Sequence, residues 1–328
     1  MDLAFSQEQP QAIKNASITF QQLTHEISRV IVGQHDTILF TMIALLCDGH
    51  LLIEGVPGIA KTTLIKTVAQ TLGVSFKRLQ FTPDLLPADI IGTMIYNQKT
   101  NDFETKRGPI FANLILADEI NRAPAKAQAA LLEAMQERQV TIGSDTYLLE
   151  SPFLVFATQN PLEQEGTYRL PEAQIDRFMF KLHMTYPSRD QEKEILARVF
   201  NPASITNILS HADIATAQKL VRSVYVNQHI VDYIVSLVEA TRTPTKYQLD
   251  NLAEAIQDGA SPRATIALYH AAQAHAFIQQ RHFVTPDDVK AVAKPVMRHR
   301  ITLSYHAEAD NIITDDLITT IVKTVPTP

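Results

Sequence analysis

Leu51-Leu52-Ile53-Glu54-Gly55-Val56-Pro57-Gly58-Ile59-Ala60-Lys61-Thr62-Thr63 carries an apolar run into a glycine-bearing turn and leaves it through Lys-Thr-Thr. The pattern predicts a buried strand, a tight loop and a helix opening at Lys61. Backbone N–H groups of such a loop can converge on phosphate oxygens, and the helix aims its positive N-terminal end at the same place. Gly55, Val56, Pro57, Gly58, Ile59 and Ala60 are thus candidate cradle residues, continued by Lys61, Thr62 and Thr63. Lys61 would reach the β- and γ-phosphates of a nucleotide, and Thr62 would ligate Mg²⁺. The usual G-x-x-x-x-G-K-[ST] pattern is broken at Ala60, where the last glycine should stand. If the backbone there needs a positive φ, a Cβ costs roughly 1 kcal/mol, which bound phosphates can offset. A plain strand-to-helix turn with a chance lysine is the alternative.

The chain around this stretch has 328 residues, room for about two domains and a sizeable first core. Its 45% hydrophobic and 20% charged content is ordinary for a soluble globular protein. The single cysteine, Cys47, excludes an internal disulfide, a CxxC pair and a zinc cluster, and its apolar surroundings suggest a buried, inert thiol. Met1–Glu8 has neither a basic nor an apolar signal region, and the longest apolar runs are too short to span a bilayer, so a cytoplasmic location is expected. A net charge of −6 with no run of Lys or Arg offers no footprint for general nucleic-acid binding. Eleven histidines include no HExxH, and no GxSxG occurs, which removes the metalloprotease and serine-hydrolase classes.

Upstream of the loop, Phe20, Leu23, Ile27 and Val30 fall at helical spacing, predicting a helix over 17–30 and another over 36–47. Downstream, 61–72 reads as a helix and 75–80 as a strand, followed by a Pro- and Asp-containing stretch over 81–89, the segment 90–96 and a polar turn over 97–102. The continuously apolar run 112–117 has the character of a central parallel strand. Asn121 is placed to cap a helix ending near Gln139, a hairpin spans 140–149, and 153–158 is a second buried strand. Beyond Pro187 only one glycine, Gly259, remains and the long segments carry helical periodicity, with 201–209 as a linker candidate. The division expected is therefore 1–187 as an α/β domain and 188–328 as a helical domain.

A phosphate loop needs acidic groups to hold Mg²⁺ and prepare water, and Asp118-Glu119 supplies two at the end of a buried-type strand. Asp118 would fix the metal, directly or through water, while Glu119 would orient and deprotonate the attacking water. An isolated Asp-Glu at a solvated strand end is the bland reading.

The succession 55–62, 115–121, Phe156-Ala157-Thr158-Gln159-Asn160-Pro161 and 170–178 strongly resembles the MoxR branch of the AAA+ ATPases, over nearly the whole chain. Alanine at position 60 is itself similar to that branch. The resemblance implies a three-layer α/β P-loop domain with a parallel sheet and a smaller all-α lid. It also implies ATP or ADP with Mg²⁺ as ligands, and a homo-oligomeric, hexameric ring with nucleotide at the subunit interfaces. Asn160 matches the family's sensor-1 residue, Arg177 the arginine finger offered to a neighbouring subunit, with Arg169 a competitor, and Arg263 the sensor-2 arginine that reaches phosphate. Val32 and Gly33, within Ile31-Val32-Gly33-Gln34, resemble the adenine-side segment. Residues 85–109 and 139–151 correspond to mobile ring-facing loops.

The leading expectation is an ATPase coupling hydrolysis to chaperone-like remodelling or metal-cofactor maturation, with a von Willebrand factor A-type partner implied by the resemblance alone. A DNA-directed motor predicts basic loops, which 139–151 lacks. A nucleotide-binding scaffold without turnover is disfavoured by Glu119 and Arg177.

Overall fold

The computed structural model describes residues 8–56, 58–161, 167–168, 170–200 and 204–328. The first half is ordered α1 (Glu8–Ser28), α2 (His35–Leu46), β1 (Leu51–Gly55), α3 (Lys61–Leu72), β2 (Phe76–Gln80), α4 (Pro87–Ile91), β3 (Gly92–Asn97), β4 (Asp102–Arg107), β5 (Leu114–Asp118) and α5 (Ala125–Glu137). It continues through β6 (Gln139–Ile142), β7 (Asp145–Leu148), β8 (Leu154–Gln159), α6 (Glu172–Ile175) and β9 (Phe180–Met184). The second half comprises α7 (Arg189–Phe200), α8 (His211–Arg222), α9 (Gln228–Arg242), α10 (Asp250–Ala253), β10 (Ile256–Asp258), α11 (Pro262–Ile278), α12 (Pro286–Met297), β11 (Thr302–Leu303), α13 (Tyr305–Ala309) and α14 (Thr314–Thr324).

Five parallel strands form one sheet in the order β2-β5-β8-β1-β9. Strands β1, β5 and β8 are apolar and buried because helices cover both faces, which gives near-continuous hydrophobic runs in place of alternation. Their carboxyl ends lie side by side: Ile53 is paired with Thr158, Glu54 with Gln159, Ala117 with Ala157, and Gln80 with Asp118. In open α/β sheets ligands settle in the crevice beyond those ends.

Helix α1 begins nine residues before the expected start, with Pro10 in its first turn, and Ile13 extends the buried stripe of Phe20, Leu23 and Ile27. Within the segment 90–96 a Gly92 φ of 106° ends the short α4 and starts β3, which pairs with β4 across the turn at 98–101. Asn121 does not cap α5. It lies in a 3-10 turn over Ile120–Arg122, and Pro124 holds the cap position, since proline's fixed φ suits that entry and its missing N–H is not needed.

The helical half packs onto the first through α11, which meets α1 and α2, with Phe20 and Phe277 edge to face at 6.0 Å. It carries one short antiparallel ribbon, β10–β11. Of the linker candidate, the described part is anchored: Ile208 N–H donates to Thr71 O and Leu209 is buried in the core. Among the described residues no helix is long and apolar enough to cross a membrane.

Candidate active site

The loop after β1 is built as its residues require. At Gly55 a Cβ would come within 2.9 Å of Met184 O, so only glycine lets β9 approach. Gly58 has φ 84°, and Ala60, immediately before α3, has φ 64° and ψ 25°, the left-handed conformation that the departure from glycine makes costly. Lys61 then opens α3, and its Nζ donates to Gly55 O at 2.7 Å, folded back over the loop. Burial pushes the Lys61 ammonium down, while Asp118 and then Glu119 pull it back up.

Beyond the strand ends, Gly58, Ala60, Lys61, Thr62, Thr63, Asp118, Glu119 and Asn160 share one cleft of about 360 Å³ with Arg78. Asn160 is buried there at 7% exposure. Thr158 ties the two acids together: its hydroxyl donates to Asp118 Oδ1 at 2.6 Å and accepts the Glu119 N–H at 2.9 Å. Glu119 sits at φ 56°, a strained setting for a residue with a side chain. Its carboxylate accepts from Gln80 Nε2 at 2.8 Å and Arg122 Nη1 at 3.1 Å.

A second cavity of about 470 Å³ meets the cleft at Gly58, Ala60 and Thr63 and is walled by Ile31, Val32, Ile59, Ile195 and Val199. An apolar slot beside a phosphate loop suits a flat base. Gly33 does not line it; at φ 74° it turns the chain against Gln191. Val56 is half-buried beside the loop, whereas Pro57 and Arg169 lie outside the described residues.

Arg177 and Arg263 are not brought to this cleft. They line a third cavity, about 270 Å³, that shares no lining residue with the other two. Arg263 Nη1 lies 3.6 Å from Asp176 Oδ2, and Arg177 Nε is buried without a hydrogen-bond partner among the described residues. Cys47 lines the same cavity, half-buried, with its thiol pushed up by burial.

Comparison with known proteins shows the family. The family described as ATPase family associated with various cellular activities (AAA) matches residues 50–180, and the AAA lid domain matches 250–321. Chaperone MoxR1 of Mycobacterium tuberculosis is 47% identical over 94% of this chain and 82% of its own length. The chain belongs to the MoxR branch of the AAA+ ATPases. Protein MoxR of Methylorubrum extorquens is 32% identical over 96% of each chain. A crystal structure of a provisionally assigned ATPase from Cytophaga hutchinsonii superposes with a TM-score of 0.92 at 48% identity, covering 97% of both chains.

As an AAA+ ATPase the protein is an ATP hydrolase, and the cleft at the carboxyl ends of β1, β5 and β8 has the donors that a triphosphate needs. Its donor set also fits a hard divalent cation, since Thr62 and Asp118 both line it and offer oxygen ligands. Four polar residues of this MoxR site, Arg78, Gln80, Arg122 and Thr158, were not anticipated. Arg78 and Gln80 stand two apart on β2 and therefore share a face, a signal that becomes readable only once β2 is known to neighbour β5.

Proposed function

We propose that this MoxR-type protein is an Mg²⁺-dependent ATPase that assembles as a hexameric ring in the cytoplasm. Hydrolysis would be coupled to remodelling a protein partner, as in chaperone-like maturation or metal insertion. The partner class, a von Willebrand factor A-type domain, rests on family likeness alone; the name Chaperone MoxR1 of a relative supports the chaperone-like role. The observation that carries the reading is the convergence of Lys61, Thr62, Asp118, Glu119 and Asn160 on one cleft, with Arg177 and Arg263 displaced to another face.

In this reading Lys61 leaves Gly55 O to neutralise the β- and γ-phosphates, and Val32 and Ile31 receive the base. Mg²⁺ held by Thr62 and Asp118 would supply charge neutralisation on the phosphate oxygens. Glu119 takes a proton from the attacking water, which Asn160 helps to place. Arg177 and Arg263 reach the γ-phosphate bound by the adjacent subunit, so loss of that phosphate removes interface contacts and lets the subunits rotate.

The test is Glu119→Gln. ATP binding should persist and the ring should be trapped, with hydrolysis slowed about a hundredfold or more. Sizing with and without ATP and Mg²⁺ reads the assembly, and hydrolysis at the unmodified rate would refute the role of Glu119.

A further inference from the structure

Arg300 is the most heavily bonded side chain around the finger. It is buried, with only 3% of its side chain exposed, just past the end of α12 in the lid. All five of its N–H groups are used. Nε donates to Asp176 Oδ1 at 2.7 Å, Nη1 to Met179 O at 3.1 Å and to Val296 O, and Nη2 to Asp176 O at 3.0 Å and Phe178 O at 2.6 Å. Two of the four carbonyls, those of Asp176 and Phe178, thus lie immediately on either side of Arg177, a third is that of Met179 one residue further on, and the fourth belongs to the last turn of α12. Its neighbours join in: His299 Nε2 donates to Phe178 O at 2.9 Å, and Arg298 Nη1 to Lys181 O at 3.3 Å. From the start of α11, Ser261 Oγ donates to the other oxygen of Asp176 at 2.8 Å.

We infer that Arg300 is the positioning residue of the arginine finger: it clamps both flanks of Arg177 to the lid, so that finger and lid move as one piece. A planar fork can hold several carbonyls at fixed angles, whereas a lysine ammonium is a point charge that can satisfy the carboxylate but not the flanking carbonyls together. A lid displaced by nucleotide therefore carries the guanidinium of Arg177 with it. The inference rests on the proposed reading of Arg177 as the group offered to the neighbouring nucleotide.

The experiment is subunit mixing on the full-length protein with ATP and Mg²⁺. Arg300→Lys alone should lose about a hundredfold in kcat, the scale of a misplaced group, with KM within about twofold of the unmodified protein. Its melting temperature should fall, because buried carbonyls lose their donors, while the variant stays folded at the assay temperature. Glu119→Gln subunits cannot hydrolyse but keep intact fingers. Mixed into rings, they should raise the hydrolysis of Arg300→Lys severalfold, as they should for the control Arg177→Ala. A defect confined to folding or to the variant's own nucleotide site would gain nothing from intact neighbours. Rescue of Arg177→Ala without rescue of Arg300→Lys overturns the clamp alone, as does an unchanged kcat for Arg300→Lys. Failure to rescue Arg177→Ala overturns the reading of the finger, and the clamp with it. Should Arg300→Lys not fold, Asp176→Asn weakens the same clamp at constant side-chain volume and is judged by the same rescue.

Discussion

Arg78 Nη2 lies 2.6 Å from Asp118 Oδ2, and Arg78 Nε 3.1 Å from the same oxygen, while Thr158 holds Oδ1. The carboxylate assigned to the metal is thus already engaged by a cation of its own chain, one that lines the phosphate cleft. Half of the Arg78 side chain is exposed, so solvent screens the pair and its strength is modest. Replacing Arg78 with Gln should release Asp118 and shift the Mg²⁺ dependence of ATP binding to about two- to fivefold lower concentration, the scale of an exposed ion pair. A titration of Mg²⁺ against nucleotide affinity checks this, and a shift to higher concentration would assign Arg78 to the phosphates instead.

Ala60 is held at φ 64° where a glycine would rest without strain. Ala60→Gly should therefore raise the unfolding free energy of the nucleotide-free protein by up to about 1 kcal/mol, less the entropy that a glycine adds to the unfolded chain. Urea midpoints of the two proteins at equal slope give the answer. A large loss of stability would mean that the alanine methyl group has a packing role.

Thr158→Val preserves shape and removes the hydroxyl that orders both acids. The Glu119 N–H would lose its acceptor, at roughly 1–3 kcal/mol, and kcat should fall about tenfold or more while KM changes little. Steady-state kinetics separates the two parameters, and an effect on KM alone would place Thr158 in nucleotide binding.

The phosphate loop was legible because thirteen contiguous residues carry all of its local signals, including the one residue whose φ breaks the rule. Asp118 and Glu119 were legible for the same reason, as a strand end followed by two acids. What surrounds them was not, because it depends on strand order: Arg78 and Asp118 are 40 positions apart and meet only because β2 and β5 are adjacent in the sheet. Arg300 is further still, 124 positions from Asp176, in a segment whose local pattern gives merely the end of a helix. Asn121 shows the opposite failure, in which a good capping residue lost its place to Pro124, which carries the chain into α5. The likeness to a known family named Arg177 and Arg263 but not the face on which they stand.

His50 offers a test of acid stability independent of nucleotide. It is buried at the start of β1, where Nδ1 accepts the Val155 N–H at 3.0 Å and Nε2–H donates to Met135 O at 3.1 Å. Both nitrogens are committed only in the neutral ring, since protonating Nδ1 would set two donors against each other. Burial, and then the Arg138 guanidinium, push the imidazole from its ordinary 6.5 down to about 3. Below the ordinary value the unfolded chain takes up a proton that the folded chain refuses. The stabilisation is therefore complete above about pH 6.5 and is lost on acidification, at about 1.4 kcal/mol per pH unit, until the folded-state value is reached. His50→Gln presents an amide donor and a carbonyl acceptor in place of the two ring nitrogens and does not titrate. Between about pH 6.5 and pH 5 its unfolding free energy should fall less steeply than that of the unmodified protein, by about 1.4 kcal/mol per pH unit. Parallel pH dependences in urea titrations of the two proteins would show that His50 is protonated in the folded state.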